Sequence, residues 1–464
     1  MPEYDNSSWQ DRIDRRSYIK GAGAAGMVFL AGCSGSDGGD GDSDGGDGDD
    51  GSNGGDGSDG NDGGGSDGGD GSDGGSTDGG GGSFTLGFLN PFSGGFGWIG
   101  SNTRPAVATA LTEINEQSDG VLDGITIETN EQNTETNPQA AISGFETLDA
   151  AGVPAVVGPS SSVMPNLIEP IQSAKLPLIT VTAGTIQLDD VGGTWLWRNV
   201  PSDAVGGAAS GKYNYEELEH RQMGLSFKND KGSQSFAASV GEAFETLGGE
   251  IVVEAPLAVN ASSYRSEIGK LQDADADIVQ MTAGTEVSTL FVKNYSELGA
   301  KEDFNLVLGN DVLTEDFISE VGADVAEGFL GQAPAPGPAF DEFSESFANV
   351  NGGEPGTFAA EAYDAVNQFA LAFEAHGAVE RQAIPDQLKN ISNPPGTEVT
   401  SFAEGKEELA NGNDIDYVGA ANPQNFDDNG NVVGPFSILK AQGGTWESVT
   451  TYEAETLREV YSTG

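Results

Sequence analysis

Three consecutive serines have the chemistry and the position to bind an anion. Ser160, Ser161 and Ser162 follow an apolar segment at 153–158, predicted to be a buried strand, and precede a predicted helix at 166–173. Hydroxyl groups, free backbone N–H groups and the positive end of a helix all attract negative charge. The pattern therefore predicts a seat for an anion at the end of this strand. The alternative is that the serines only cap the helix.

The chain offers little for catalysis, because it contains only two histidines, His220 and His376. They suggest neither a histidine-based zinc pair nor the base of a catalytic triad. The segment at 158–161 also differs from a nucleophile elbow. We therefore expect a protein that is not an enzyme and that uses no metal and no other cofactor. An enzyme would have to show turnover that is lost when Ser161 and Asp311 are both replaced by alanine.

The apolar pattern after residue 84 predicts the elements that position the serines. Strand-like apolar segments alternate with amphipathic helices from 84 to 181, and a second alternating series runs from 222 to 308. Such alternation is typical of βαβ units and parallel sheets. A body of this length exceeds one compact core. We therefore predict an α/β fold of two lobes, with ligand contacts in the loops that follow the strands.

The single cysteine, Cys33, ends a Leu-Ala-Gly-Cys tetrapeptide that resembles the lipobox of bacterial and archaeal lipoproteins. The upstream twin arginine at 15–16 resembles a Tat export signal. These resemblances imply that residues 1–33 are a signal peptide and that lipid on Cys33 anchors the protein to the outer face of the cell membrane. The apolar stretch is too short to span a bilayer, which takes ~20 apolar residues. Cys33 could instead be a small buried residue, but the following tract offers no core.

The tract at 34–83 consists almost entirely of Gly, Asp and Ser, with no aromatic and no aliphatic residue. It cannot bury apolar surface to offset the entropy of ordering. We therefore predict a flexible, disordered linker. Calcium-binding Gly/Asp repeats are an alternative, but such repeats need an aliphatic residue in each turn.

The charge balance argues against nucleic acid as a partner. With 74 acidic and 20 basic residues, the chain has a formal net charge of −54. Such a surface repels nucleic acid, so we expect no nucleic-acid partner. Acid excess with few lysines resembles the proteins of halophilic archaea. Like charges repel one another most at low ionic strength, so we expect the fold to need high salt.

Four segments carry a family resemblance by their order and spacing. They lie at 87–94 (GFLNPFSG), 157–163 (VGPSSSV), 176–183 (LPLITVTA) and 426–430 (FDDNG). Together they resemble the branched-chain-amino-acid (Leu/Ile/Val) type of periplasmic binding proteins, the substrate-binding subunits of ABC importers. The resemblance implies two Rossmann-like lobes with parallel sheets, joined by a three-stranded hinge. It also implies a monomer with an ABC permease as its partner.

The resemblance further implies how the chain divides and what it binds. Lobe 1 is expected to comprise 84–201 and 332–436, and lobe 2 to comprise 202–331 and 437–464. The implied ligand is a small amino acid, or a related amide or carboxylate, held between the lobes. A ligand-sensing or structural surface protein with the same fold, but without a transporter, is the alternative.

Four residues match family positions that hold the polar head of a ligand. By the resemblance, Ser161 or Ser162 would bind the α-carboxylate of an amino acid. Thr182 and Gly184, after the next strand, match positions whose backbone and hydroxyl groups hold the same head. The threonine could also be an ordinary turn residue.

Two further positions are implied to face the ligand. Asp311 matches an acidic residue of the family and would pair with the α-ammonium group, although it could also be a solvated surface aspartate. Trp98 lies where the family often places an aromatic residue near the ligand, although it could belong to the core of its loop.

One position departs from the family pattern. Near 230–232 the family often has an aromatic residue that contacts the ligand, and here Lys231 stands in that place. A lysine that faced the cleft would suit a ligand with an extra negative charge. The other interpretation is that Lys231 points outward.

Overall fold

The computed structural model describes residues 82–461. The predicted signal peptide, Cys33 and nearly all of the predicted linker lie outside the described residues. None of the helices within 82–461 is both long enough and apolar enough to cross a bilayer.

The first sheet is the centre of lobe 1, the name used here for the part of the chain built around it. Its strands are β1 (Ser83–Asn90), β2 (Thr126–Asn133), β3 (Val156–Val157), β4 (Leu178–Thr180) and β5 (Leu196–Arg198). They are all parallel, in the order β2-β1-β3-β4-β5. The last five residues of β1 are buried, as a strand covered by helices on both faces requires.

Three helices of lobe 1 connect these strands. They are α1 (Gly97–Thr112), α2 (Pro138–Ala150) and α3 (Ile168–Ala174). The start of α2 follows the sequence prediction. Oδ1 of Asn137 accepts hydrogen bonds from the backbone N–H groups of Gln139 and Ala140 at 2.8 and 3.2 Å, and Pro138 occupies the first turn, which needs no N–H donor.

The chain then builds the second sheet, which is the centre of lobe 2. Its first strands are β6 (Gln222–Lys228), β7 (Glu250–Leu257), β8 (Ile278–Thr282), β9 (Asn305–Leu308) and β10 (Leu330–Pro334). These five strands are parallel. The helices of this part are α4 (Asp203–Lys212), α5 (Lys231–Thr246), α6 (Arg265–Asp273), α7 (Gly284–Glu297), α8 (Glu315–Val321) and α9 (Ala323–Ala326).

After β10 the chain returns to lobe 1 and adds helices to it. They are α10 (Phe340–Asn351), α11 (Ala359–His376), α12 (Ala383–Ser392) and α13 (Phe402–Ala410). A small parallel sheet of β11 (Thr397–Val399) and β12 (Ile415–Tyr417) accompanies them. Helix α11 is buried from Ala359 to Phe373. Its many alanines allow the close approach to α1 and α12 that this position demands.

The last elements complete the sheet of lobe 2. They are β13 (Phe436–Gln442), β14 (Thr445–Tyr452) and α14 (Ala454–Tyr461). The full order is β14-β13-β10-β9-β8-β6-β7. Strands β13 and β14 are antiparallel to their neighbours, so the sheet of lobe 2 combines five parallel strands with two antiparallel ones. The tight turn at Gly443 and Gly444 permits this pairing, because parallel strands would need a long crossover.

The predicted fold class is confirmed, since two α/β lobes are each built around one sheet. Three connections join the lobes, at 199–202, 335–339 and 433–435. Near them, Arg198 forms a bridge with Asn431, and the N–H of Ala335 donates to the carbonyl of Pro435 at 2.8 Å. The predicted boundary at 331/332 falls inside β10, because β10 pairs with β13 as far as Pro334.

Candidate functional site

A cavity of about 130 Å³ lies between the lobes, at the carboxyl ends of the strands. Lobe 1 lines it with the loops after β3 and β4, the start of α1 and the residue before α11. Lobe 2 lines it with the starts of α4 and α5 and with the residues at the ends of β8 and β9. This is the place where open α/β sheets bind ligands.

The three serines line the cavity from lobe 1. Ser160 is buried and forms a bridge with Thr182, so the loops after β3 and β4 run side by side. The hydroxyl groups of Ser160 and Ser162 lie 2.9 Å apart. The carbonyl of Ser160 accepts hydrogen bonds from the N–H groups of Val163 and Met164 at 3.1 Å, which holds the loop in a tight turn. Hydroxyl donors are therefore gathered at one wall of the cavity.

The helix predicted at 166–173 is present, but it begins two residues later than predicted. A 3₁₀ turn at Met164–Asn166 follows the loop, and α3 begins only at Ile168. Pro170 explains the late start, because proline fits the first turn of a helix but breaks the hydrogen-bond ladder further along. The serines are therefore followed first by a 3₁₀ turn and then by α3, and the anion seat stays a prediction. Hydroxyl and backbone groups of the loop itself must provide the donors.

Thr182 and Gly184 line the cavity beside the serines. Thr182 is 7% exposed, and its Oγ1 has no hydrogen-bond partner within 82–461. The carbonyl of Gly184 accepts the N–H of Asp203 at 2.7 Å and Nη1 of Arg198 at 3.2 Å. A side chain at position 184 would overlap the Asp203 carboxylate. The backbone here therefore needs a glycine.

Asp311 lines the cavity from lobe 2. It lies in the 3₁₀ turn Asn310–Val312 directly after β9. Burial raises the pKa of its carboxyl to about 6, and hydrogen bonds from its own N–H and that of Gly284 oppose the rise. No basic side chain within 82–461 forms an ion pair with it. The residue is thus not a solvated surface aspartate.

Aromatic side chains form further walls. Trp98, in the first turn of α1, stacks on Phe358 with ring centroids 6.0 Å apart and an angle of 21° between the ring planes. Phe96 lines the cavity from the same loop, and Phe236 lines it from α5 in lobe 2. Trp98 is therefore a wall of the cavity rather than a core residue.

Lys231 does not face the cavity. Asp230 caps α5 by accepting the N–H of Ser233 at 3.0 Å, which makes Lys231 the first residue of the helix. In that position Lys231 is exposed, while Gly232 lines the cavity. The interpretation in which Lys231 faces the cleft was wrong. The lysine close to the cleft is Lys228, at the end of β6. Its Nζ lies 3.2 Å from Oδ2 of Asp230 and 4.4 Å from the centre of the Phe96 ring.

A second carboxylate in the cavity, that of Asp203, was missed from the sequence. Asp203 begins α4, behind the N-cap residue Ser202, and its half-buried side chain lines the cavity. Burial raises the pKa of its carboxyl to about 7, although a hydrogen bond with Ser235 and the charge of Arg198 oppose the rise. In the sequence, Ser-Asp after a proline indicates only the start of a helix. The position of the Asp203 carboxylate beside the loop after β4 depends on how the two lobes pack against each other.

Arg198, at the end of β5, organises the floor of the site. It is almost fully buried, and its Nη2 lies 2.6 Å from Oδ1 of Asp189. Its Nη1 donates to the carbonyls of Gly184 and Thr185 at 3.2 and 3.1 Å. The guanidinium therefore holds the loop that carries Thr182, and its charge is already paired.

Three buried polar atoms at the cavity have no hydrogen-bond partner within the described residues. They are Oγ1 of Thr182, Oγ1 of Thr282 and Oε1 of Gln332. Buried polar groups are nearly always satisfied, and exceptions call for an explanation. Because all three line one cavity between lobes, a polar ligand that fills the cavity would supply their partners.

The two lobes contact each other around the cavity. Oγ1 of Thr185 in lobe 1 donates to Oγ of Ser235 in lobe 2 at 3.4 Å. Lys228 of lobe 2 lies against Phe96 of lobe 1. The arrangement is a closed cleft, in which a ligand would be held from both sides.

Comparison with known proteins supports this description of the fold. The leucine-binding protein LivK of Thermotoga maritima has a TM-score of 0.67 at 17% identity, covering 80% of this chain and 99% of that chain. LivJ of Streptococcus pneumoniae, solved with isoleucine, has a TM-score of 0.65 at 21% identity, with coverages of 80% and 99%. A solute-binding protein of Rhodopseudomonas palustris, solved with 3,4-dihydroxybenzoic acid, has a TM-score of 0.64 at 19% identity, with coverages of 80% and 98%.

Sequence comparison adds the family. No curated protein matches the chain. The family model described as periplasmic binding protein, however, matches residues 83–411, which is well over half of the chain. The match includes the serine loop, Thr182, Gly184 and Asp311. The protein therefore belongs to the periplasmic binding protein family.

Proposed function

We propose that the protein is the extracytoplasmic solute-binding subunit of an ABC importer and binds a small amino acid or a related amide or carboxylate. The observation that carries the proposal is that the two lobes present chemically different groups to the same closed cavity. Lobe 1 presents hydroxyl groups, among them the unpartnered Oγ1 of Thr182, and lobe 2 presents the Asp311 carboxylate. A zwitterion needs donors for its carboxylate and an acceptor for its ammonium group.

The roles of the lobe 1 residues follow from their chemistry. The hydroxyl and N–H groups of Ser161 and Ser162 would bind the ligand carboxylate. Thr182 would complete this seat with its Oγ1, and Gly184 would allow the close approach of the Asp203 side chain. The hydrogen bonds would be charge-assisted, and such bonds are stronger than those between neutral groups.

The remaining walls would hold the other parts of the ligand. Asp311 would pair with the ammonium group, and Trp98 would cover the apolar part. LivK is described as leucine-binding, and LivJ was solved with isoleucine, whereas the Rhodopseudomonas protein was solved with an aromatic acid. A buried carboxylate without a cationic partner favours an ammonium-bearing ligand over an aromatic acid, since only the ammonium group neutralises it.

Closure would couple binding to transport. The ligand contacts come from both lobes, so a ligand stabilises the closed form by the difference in its affinity for the two states. We propose that the permease recognises the closed, liganded monomer. In the same proposal, residues 1–33 direct export by the Tat route, lipid on Cys33 anchors the protein, and the linker at 34–83 gives it reach. The acid excess would keep it soluble in high salt.

A ligand screen tests the proposed function. The purified chain in molar salt would be heated with single amino acids, with short amides including urea, and with aromatic acids. We expect at least one amino acid to raise the melting temperature, because ligand that binds only the folded state stabilises it by mass action. Double replacement of Ser161 and Ser162 by alanine should abolish that shift. If only aromatic acids raise the melting temperature, the amino-acid assignment is wrong.

A further inference from the structure

Three neighbouring strands of lobe 2 place one residue each in a single row on the cavity wall. Met281 of β8 and Gly331 of β10 both pair with Leu308 of β9. The next residue along each strand therefore lies in the same row and faces the same side, with about 4.8 Å between neighbouring strands. These next residues, all of which line the cavity, are Thr282, Gly309 and Gln332.

The Asp311 carboxylate occupies the gap that Gly309 leaves in the middle of this row. Its Oδ1 lies 3.0 Å from the place where a Cβ on Gly309 would be, and Cγ2 of Thr282 lies 3.8 Å from the same place. Its Oδ2 lies 3.6 Å from the corresponding place on Gly284, whose N–H at the start of α7 donates to the carboxylate. Oδ1 is therefore located between the positions of Thr282 and Gln332.

The two outer residues of the row each have a buried oxygen atom that lacks a partner. Gln332 is 2% exposed, and neither its Oε1 nor Oγ1 of Thr282 has a hydrogen-bond partner within 82–461. On its other side Gln332 pairs with Ile438 of β13, which has no side-chain donor. Buried polar groups are nearly always satisfied, and a ligand in the cavity would satisfy these. Oγ1 of Thr282, Oδ1 of Asp311 and Oε1 of Gln332 are called the acceptor row below.

The acceptor row matches the chemistry of a primary ammonium group. Such a group has three N–H donors and no acceptor, and the row offers three oxygen atoms with the charged one in the middle. Each N-methyl group on the ligand would remove one donor and leave one acceptor buried and unsatisfied, which is costly. The row therefore distinguishes ligands by the number of N–H groups on their nitrogen.

We infer that Thr282 and Gln332 bind the ammonium group of the ligand together with Asp311, and that this acceptor row restricts the ligand to amino acids with a primary ammonium group. The inference rests on the proposed function, because it assumes that Asp311 meets an α-ammonium group. It excludes free proline, whose nitrogen has two N–H donors, and betaines, whose nitrogen has none. Thr282 and Gln332 are thereby specificity-determining residues.

Calorimetric titration with N-methylated ligands tests the inference in molar salt. Alanine and leucine are each compared with their N-methyl derivative, and free proline and glycine betaine extend the series. Isocaproate is leucine without its ammonium group. We expect at least one of the two amino acids to bind, and its N-methyl derivative to bind at least tenfold more weakly. Free proline, glycine betaine and isocaproate should not bind.

Two substitutions in the row test for direct contact. Gln332→Met removes the amide and keeps the length of the side chain. It should weaken binding of the parent amino acid about tenfold and binding of the N-methyl derivative less than threefold, because the derivative has one N–H fewer to lose. A merely structural role of Gln332 would weaken both ligands alike, since only groups in contact show such coupling. Thr282→Val should give the same pattern.

Gln368→Met is the matched control. Gln368 in α11 is also buried, with an Oε1 that has no partner among the described residues, but it lies outside the cavity. The same substitution there should leave both affinities and their ratio unchanged. Circular dichroism checks that the variants fold. If Gln332→Met does not fold, Thr282→Val and the methylated series on the unaltered protein still decide the question.

The outcomes distinguish the inference from the proposed function. An N-methyl derivative that binds as tightly as its parent overturns the inference and leaves the amino-acid function standing. Unchanged affinities in both Gln332→Met and Thr282→Val overturn the inference too, because water and not the ligand would then satisfy the row. Binding of glycine betaine or isocaproate alone overturns both the inference and the amino-acid assignment. Absence of binding by every compound overturns the inference, and the broader ligand screen still decides the proposed function.

Discussion

Asp203 and Gly184 are in direct contact across the join between the lobes. The N–H of Asp203 donates to the carbonyl of Gly184 at 2.7 Å, and the Asp203 carboxylate occupies the space that a side chain at 184 would need. One residue belongs to the loop after β4 in lobe 1, and the other begins α4 in lobe 2. The wall of the cavity is therefore built by residues of both lobes that are in direct contact.

Replacing Gly184 by alanine should impair both stability and binding. The new methyl group would force the Asp203 side chain aside, and overpacking of this kind typically costs ~1–3 kcal/mol. We expect a lower denaturation midpoint and at least tenfold weaker ligand binding. Gly269→Ala is the control, because Gly269 lies within α6 with no atom near its missing side chain; it should be neutral or stabilising. Equal effects of the two variants would contradict the packing argument.

Replacing Thr182 by valine should weaken ligand binding without lowering the stability of the protein. The hydroxyl has no hydrogen-bond partner within 82–461, and an unsatisfied buried polar group costs about 1–3 kcal/mol. The free energy of unfolding without ligand should therefore stay the same or rise, while ligand affinity falls about tenfold. Thr289 in α7 also has a buried Oγ1 without a partner among the described residues, but it lies outside the cavity. Thr289→Val should leave affinity unchanged, and a loss of affinity there would argue against a specific role for Thr182.

Ligand affinity should rise with pH between about 5 and 8 if the ligand carries cations. Burial raises the pKa of Asp203 to about 7 and that of Asp311 to about 6. A bound cation favours the ionised carboxylates, so binding must release protons in this range. Titrations in buffers of different ionisation enthalpy should reveal this release. Affinity that stays constant from pH 5 to 8 would show that neither carboxyl meets a cation.

Without ligand, the same two carboxyls should make the protein less stable as the pH rises. Their folded pKa values lie above the ordinary value of ~3.9, so between about pH 4 and 7 the unfolded chain holds fewer protons and stability falls. Glu361 and Asp364, buried in α11 outside the cavity, have pKa values raised by burial to about 8 and about 6 and act in the same direction. The double variant with Asn at 203 and 311 should show a shallower fall in melting temperature, and an unchanged slope would contradict the assignment.

The contact between Lys228 and Phe96 should contribute to closure. The ammonium group of lobe 2 lies over the aromatic ring of lobe 1 at 4.4 Å, and a cation–π contact is worth about 0.5–1 kcal/mol even at an exposed site. Lys228→Met should therefore speed ligand dissociation about two- to fivefold in stopped-flow measurements. Lys231→Met makes the same chemical change at an exposed position near by and should have no effect. Equal dissociation rates for the two variants would remove Lys228 from the closure mechanism.

We expect the folded state to be stable at high salt concentration and to be lost at low salt concentration. The formal net charge of −54 produces repulsion that is screened over ~3 Å at 1 M salt and over ~30 Å at 0.01 M. We expect circular dichroism to show loss of cooperative structure as salt is removed, with recovery on its return. A melting curve that is the same in dilute buffer and in molar salt would count against an adaptation to high salt.

The sequence by itself determined the two-lobed α/β class and the loops that follow the strands. The alternation of apolar segments is a short-range property, and parallel strands place their carboxyl ends at one edge of their sheet, so Ser161, Ser162 and Thr182 could be expected close together. Asp311 follows a strand of the other sheet, and only the family resemblance implied that it shares the cleft. Pro170 also carried the information for the late start of α3, because its missing N–H restricts it to a first turn.

Only the tertiary structure decided the charge of the cleft. Asp203 and Gln332 come from segments far from the serine loop in sequence, and their approach depends on how the lobes close. Lys231 and Lys228 have the same side chain only three residues apart, yet capping of α5 by Asp230 turns Lys231 to solvent and leaves Lys228 beside Phe96. Burial and the pairing of charges are properties of the assembled lobes. The sequence left open a cleft with Lys231 facing the ligand, whereas in the structure the charged residues that line the cavity are Asp203 and Asp311.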